Sequence, residues 1–192
     1  MKNSYSIAIA RVAPVLVLFL AFCAATKAAN PCDVSNLPQQ IRTKLEKNYA
    51  DWQPERVENL YEDDRPLWTK AHPDDCPGIA IGHFESKAEL SYALLLISRP
   101  DRKRLGFRLV VFSRTGPSAL YVPHLVTDWN IGLFYQGSGQ AISTVPPGHY
   151  EEAIGPKKVR TDLDAISLED FEKGIAVYYW KLGRYHELIT SE

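Results

Sequence analysis

The stretch ELSYALLLISRPDRKRLGFRLVVFS (Glu89–Ser113) decides the fold. Two apolar runs, ELSYALLLIS and LGFRLVVFS, flank the charged turn RPDRKR. Runs of this length on either side of a short polar turn read as a β-hairpin. On its N-terminal side, GIAIGHF (Gly78–Phe84) is a third, shorter run of strand character. On its C-terminal side, ALYVPHLV (Ala119–Val126) and NIGLFYQ (Asn130–Gln136) continue the series. TDLDAISLED (Thr161–Asp170) holds a short strand, and KGIAVYYWKLGRYHELI (Lys173–Ile189) closes as a hairpin turning at Leu182-Gly183. No helical pattern separates these runs. Parallel strands need a crossover of a dozen residues or more, so the sheet is predicted to be mainly antiparallel.

Upstream lies one helical pattern, DVSNLPQQIRTKLEKNYADW (Asp33–Trp52). Leu37, Ile41, Leu45, Tyr49 and Trp52 recur every three or four residues, and Arg42, Lys44, Glu46 and Lys47 fall on the other sides. Asp33, Ser35 and Asn36 supply turn and cap residues. One amphipathic helix packed on a run of strands predicts an α+β domain. The segment from Gln53 to Gly78 reads as a loop, with a short strand near Val57–Tyr61 and with Leu67 and Trp68 pinning it to the core. Residues Gln136–Lys157 read as a long glycine- and proline-bearing loop. No internal repeat of fixed period is present, which argues against a propeller or solenoid.

The first 28 residues have the three parts of a secretory signal. Lys2 and Arg11 precede an apolar run of fourteen residues (Val12–Ala25), and Thr26 and Ala28 are small residues before a cut. A membrane-spanning helix needs about 20 apolar residues. Cys23 is a poor lipid-attachment site, since bulky Phe22 precedes it. Cleavage after Ala28 leaves residues 29–192 as a single domain of 164 residues, in the periplasm or secreted, with no stable membrane insertion. That domain keeps 19 cations against 23 acids, a net charge of −4, so it has no footprint for nucleic acid. Cys23 leaves with the signal. Cys32 and Cys76 then read as one disulfide, because 44 positions separate them and metal or redox pairs sit much closer.

GHFESKAELSYALLL (Gly82–Leu96) resembles a degenerate form of GDFDGDGKLDYALLL, the calcium loop of FG-GAP-type repeats, which also occurs singly in small exported bacterial proteins. The resemblance implies ion ligands at His83, Glu85, Lys87 and Ser91. Of these only Glu85 is a carboxylate, and Lys87 puts a cation where the ion needs an acid. Calcium takes six to eight oxygens. Ala88 stands where the pattern has glycine, and Glu89 is off register. The apolar frame (Phe84, Leu90, Tyr92, Ala93) persists, so the stretch reads as a packed turn and no metal or cofactor is expected.

Other chemistry is sparse. His72, Asp74 and Asp75 beside Cys76 read as a solvated turn. His83, His124, His149 and His186 are isolated in sequence, G-x-S-x-G is absent, and Gly137-Ser138-Gly139-Gln140 lacks a phosphate-loop lysine. Glu151-Glu152 read as surface. No catalytic residue is assigned. In the last hairpin Ile175, Val177 and Tyr179 share one face, and Ala176, Tyr178 and Trp180 the other. Either both faces are buried, or one is presented to a partner. These features suggest a non-catalytic binding module of the cell envelope, with a protein or cell-wall glycan partner and inhibition as one form of its action. Its expected surface is Tyr178, Trp180 and Tyr185, with His149 and Tyr150 in the long loop. The alternative is a small envelope hydrolase whose acids and histidines are gathered by the fold. It requires two of His72, His83, His124, His149, His186, Glu151 and Glu152 to share a pocket.

Overall fold

A computed structural model describes residues 30–99, 105–131 and 139–191. The expected signal segment, residues 1–28, lies outside them. The hairpin forms as β3 (Ser91–Ser98) and β4 (Leu105–Ser113), in antiparallel register from Tyr92↔Phe112 to Ile97↔Phe107. Strand β5 (Val122–Ile131) pairs with the far side of β4. It is one strand where the sequence suggested two, and Gly132–Gln136 lie outside the described residues. Pro123 has no N–H to donate and sits where proline is tolerated, on an edge strand.

Two short strands share the other side of β3. β1 (Trp52–Pro54) pairs with Leu96–Ser98, and β2 (Ile79–Gly82) with Ser91–Leu94. Between them Glu55 N–H donates to Leu95 O, and Leu95 N–H donates to Gly78 O. Gly78 is required there, because a Cβ would stand 2.4 Å from the backbone N and O of Glu55.

The second sheet has the order β11-β10-β9-β6 and is also antiparallel. Its strands are β6 (Gln140–Val145), β9 (Ala165–Asp170), β10 (Gly174–Lys181) and β11 (Arg184–Ser191). The two sheets bury one core between them. Ala93, Leu95, Phe107, Leu109 and Val111 come from the first, and Ile142, Ile166, Leu168, Ala176 and Tyr178 from the second. Alternation sends Leu94, Leu96, Val110 and Phe112 to the opposite face, where they meet Leu37, Ile41 and Tyr121.

This corrects the expected α+β class. The layer that covers the central sheet is another sheet, and the protein is mostly antiparallel strand. The helix α1 (Gln39–Asn48) is ten residues long and contributes one buried residue, Ile41. A helix of that length spans about 15 Å, too little to cover the inner face as well as the outer. The five-residue run ALLLI is continuous because β3 is buried on both faces.

Three further expectations change. The strand near Val57–Tyr61 is a 3₁₀ turn (Val57–Asn59), followed by a short helix α2 (Asp64–Ala71). Pro66 had suggested a loop, but proline is tolerated in a first helical turn. Trp68 is buried as expected, whereas Leu67 is exposed. The presumed loop Gln136–Lys157 contains β6 and the small strand β7 (His149–Glu151), which pairs with β8 (Lys158–Arg160). That small hairpin covers the outer face of the second sheet, where Val177, Tyr179 and Leu188 meet Val159 and Ala165. Among the described residues no helix is long and apolar enough to cross a membrane.

The Cys32–Cys76 disulfide is formed, with 5.0 Å between the Cα atoms, and ties the start of the chain to the entry of β2. Closing a loop of this length restricts the unfolded chain by about 4 kcal/mol. Replacing both cysteines by serine is expected to lower the denaturant-derived unfolding free energy by about that amount. At the β10–β11 turn Leu182 and Gly183 both have positive φ, 52° and 79°. Leucine is strained there and asparagine is favoured. Leu182→Asn is expected to raise stability by about 1 kcal/mol in the same assay.

Candidate functional site

Strand β2 ends at Gly82, and the chain turns through His83–Leu90 into β3. Phe84 is fully buried and anchors this turn in the core. Glu85 follows it and lies between the two sheets at one end of the sandwich, with its side chain only 10% exposed. Three donors converge on its carboxylate. His124 Nδ1 lies 2.8 Å from Oε1, Tyr185 OH donates to Oε1 at 3.0 Å, and Ser113 Oγ donates to Oε2 at 2.6 Å. The four residues come from the β2–β3 turn, the end of β4, the start of β5 and the start of β11.

Aromatic rings complete the cluster. The His124 ring stacks on Trp180 with centroids 5.6 Å apart and planes 4° from parallel. Trp180 meets Tyr185, its cross-strand partner, edge-on at 5.0 Å. The Tyr185 hydroxyl is pushed far above the usual tyrosine range, first by burial and then by the Glu85 charge. It therefore stays a neutral donor to the carboxylate. Deeper between the sheets, the Tyr178 hydroxyl donates to Glu187 at 2.7 Å. Burial, then the Glu187 hydrogen bond, pushes it in the same direction.

The chemistry open to this cluster is limited by who holds whom. Glu85 stands between serine and imidazole, so Ser113 donates to the carboxylate and not to His124. That order does not activate a serine nucleophile, which needs the imidazole in the middle. The ring of His124 is 36% exposed at its side chain, and its Nδ1 is committed to Glu85. A second chain repeats the order. Ser143 Oγ lies 3.4 Å from Glu169 Oε1, and His72 Nε2 lies 3.3 Å from the same oxygen, with His72 stacked on Trp68 at 4.1 Å.

The remaining candidates are scattered. His83 N–H donates to Asp164 Oδ2 at 2.7 Å. His186 stacks on Tyr179 at 5.5 Å. His149 is exposed on β7 opposite Arg160. Glu151 pairs with exposed Lys158 at 2.7 Å, and Glu152 N–H donates to Lys157 O. No two of the five histidines, nor any histidine with Glu151 or Glu152, form a hydrogen bond or ion pair among the described residues. One cavity of about 310 Å³ runs along Glu169–Ile175 and contains none of them.

The expected partner surface is also redistributed. Tyr178 is corrected to a core residue, 3% exposed, because β10 is covered on both faces. Trp180 and Tyr185 belong to the Glu85 cluster. Tyr150 packs on the outer face of the second sheet and hydrogen-bonds Pro146 O, away from that cluster. No local pattern groups Glu85, Ser113, His124 and Tyr185. The three partners of Glu85 lie 28, 39 and 100 positions from it. Comparison with protein-family models, curated proteins and solved structures finds no match.

A buried acid stands apart from the cluster. Asp64, at the start of α2, is 9% exposed, and among the described residues its enclosed Oδ2 has no hydrogen-bond partner. Burial first, then the charges of Glu172, Asp63 and Asp170, raise its pKa above the usual aspartate value. A carboxyl that binds its proton more tightly when folded stabilises the fold most at low pH. That contribution is lost as pH rises through the raised folded value. Asp64→Asn removes the charged form, so its stability should exceed the wild type increasingly as pH rises above the ordinary carboxylate range. Thermal melts across pH check this, and a gap independent of pH would refute it.

At the cluster, Glu85→Ala is expected to cost about 3 kcal/mol, since it strands three donors. Tyr185→Phe should cost about 1 kcal/mol, because the ring packing stays. Urea titration reads both.

Proposed function

We propose that the protein is an exported, non-catalytic binding module of the cell envelope. Its recognition surface is the end of the sandwich where His124, Trp180 and Tyr185 meet. The observation that carries this reading is the Glu85 hub. It holds rings from three strands in one arrangement, and the His124–Trp180 stack keeps part of its surface in water. Rings fixed before binding lose little freedom when a partner arrives, which is how aromatic anchors contribute affinity. The disulfide is in keeping with an oxidising compartment outside the cytoplasm. The partner is a protein or a cell-wall glycan, either of which offers apolar surface to stacked rings. The hydrolase alternative has less support, since among the described residues no nucleophile is hydrogen-bonded to His124 and no two histidines pair.

The test uses residues 29–192 as bait against envelope extract from the source cell, and in co-sedimentation with purified cell wall. The wild type should retain a partner in one of the two assays. His124→Ala and Trp180→Ala should each reduce retention about ten-fold, the scale of one lost aromatic anchor, with the circular dichroism spectrum unchanged. Retention that both variants leave intact would refute the assignment of this surface.

A further inference from the structure

Leu182 is the most exposed large apolar residue described, at 92%, and it stands at the tip of the β10–β11 hairpin with a φ of 52°. It carries two costs at once, apolar exposure and a left-handed backbone. Asparagine or glycine would carry neither at a turn of this type. Strain held at an exposed position points to a use for the side chain.

The tip directly follows Trp180, whose ring lies against His124. Leu120 and Val122, which precede His124 in the chain, are also exposed. Lys181 and Arg184 flank the tip, both exposed, and neither pairs with an acid among the described residues. The Arg184 guanidinium instead lies against His186, 3.4 Å from its Nε2.

We propose that the tip of the β10–β11 hairpin docks on an anionic lipid surface, with Leu182 entering the headgroup boundary and Lys181 and Arg184 meeting lipid phosphates. The charge pattern selects this occupant. An apolar tip between two cations complements a layer that is anionic outside and apolar beneath. The contact is shallow and reversible, and no strand or helix crosses the bilayer through it. It goes beyond the partner reading above and uses different side chains. Changing Leu182, Lys181 or Arg184 leaves the His124–Trp180 stack in place.

The experiment is co-sedimentation of residues 29–192 with vesicles of phosphatidylcholine alone and of phosphatidylcholine mixed with phosphatidylglycerol. Binding is expected to the mixed vesicles only and should weaken as salt is raised. Leu182→Asn should reduce binding about ten-fold, the factor associated with burying one leucine, while the protein melts at a higher temperature. Lys181→Glu with Arg184→Glu should abolish it. Equal binding by wild type and Leu182→Asn, or no binding to mixed vesicles, would overturn the proposal. So would loss of a captured protein on Leu182→Asn without any vesicle binding, which would make the tip a protein contact. Loss of vesicle binding with partner retention intact, or the reverse, separates this inference from the proposed function.

Discussion

Strands β3 and β4 carry apolar side chains on both faces, and each face must be removed from water. Leu94, Leu95, Leu96, Leu109, Val110, Val111 and Phe112 are all fully buried. Burial of such side chains is worth about 2 kcal/mol each, so neither face can be left open. One face is closed by the second sheet, and the other by Leu37, Ile41 and Tyr121. The rest of the topology follows from this demand. The chain after β5 returns as a second sheet, and that sheet covers the inner face. Strand β10 inherits the same two-sidedness and needs the β7–β8 hairpin as its own cover.

A sandwich built this way is open at its ends, and polar groups there are only partly screened from water. Glu85 organises one end. Its carboxylate takes donors from both sheets, so it works as a polar rivet where the apolar core runs out. A buried carboxylate is costly unless it accepts hydrogen bonds, and here three donors reach it, two on Oε1 and one on Oε2. The same hydrogen bonds fix the ring of His124. Satisfaction of the charge and order of the surface therefore have one cause. Asp64 shows the contrary case. Among the described residues its enclosed oxygen has no donor, and burial and the nearby acids disfavour its charged form.

How much of this was legible beforehand varies with distance along the chain. The β3–β4 hairpin, the turn at Leu182-Gly183, the disulfide and the helical stripe through Ile41 all rest on local pattern or simple counting. Helix α2 was obscured by Pro66, whose effect depends on whether it falls in a first turn or later. The calcium-like frame around Glu85 drew notice to the right carboxylate, but weighed it against an ion and not against His124, Ser113 and Tyr185.

The sequence by itself determined the β3–β4 and β10–β11 hairpins, their antiparallel pairing and the cysteine bridge, since periodicity, turn chemistry and spacing are properties of neighbours. Tertiary structure alone decided that a second sheet covers the first, that Tyr178 is core while Leu182 is rim, and that Glu85 has its particular partners. The physical reason is that apolar alternation says which residues share a face but not what will cover it. A carboxylate, likewise, says that it needs donors but not which strands, 28 to 100 residues away, will bring them.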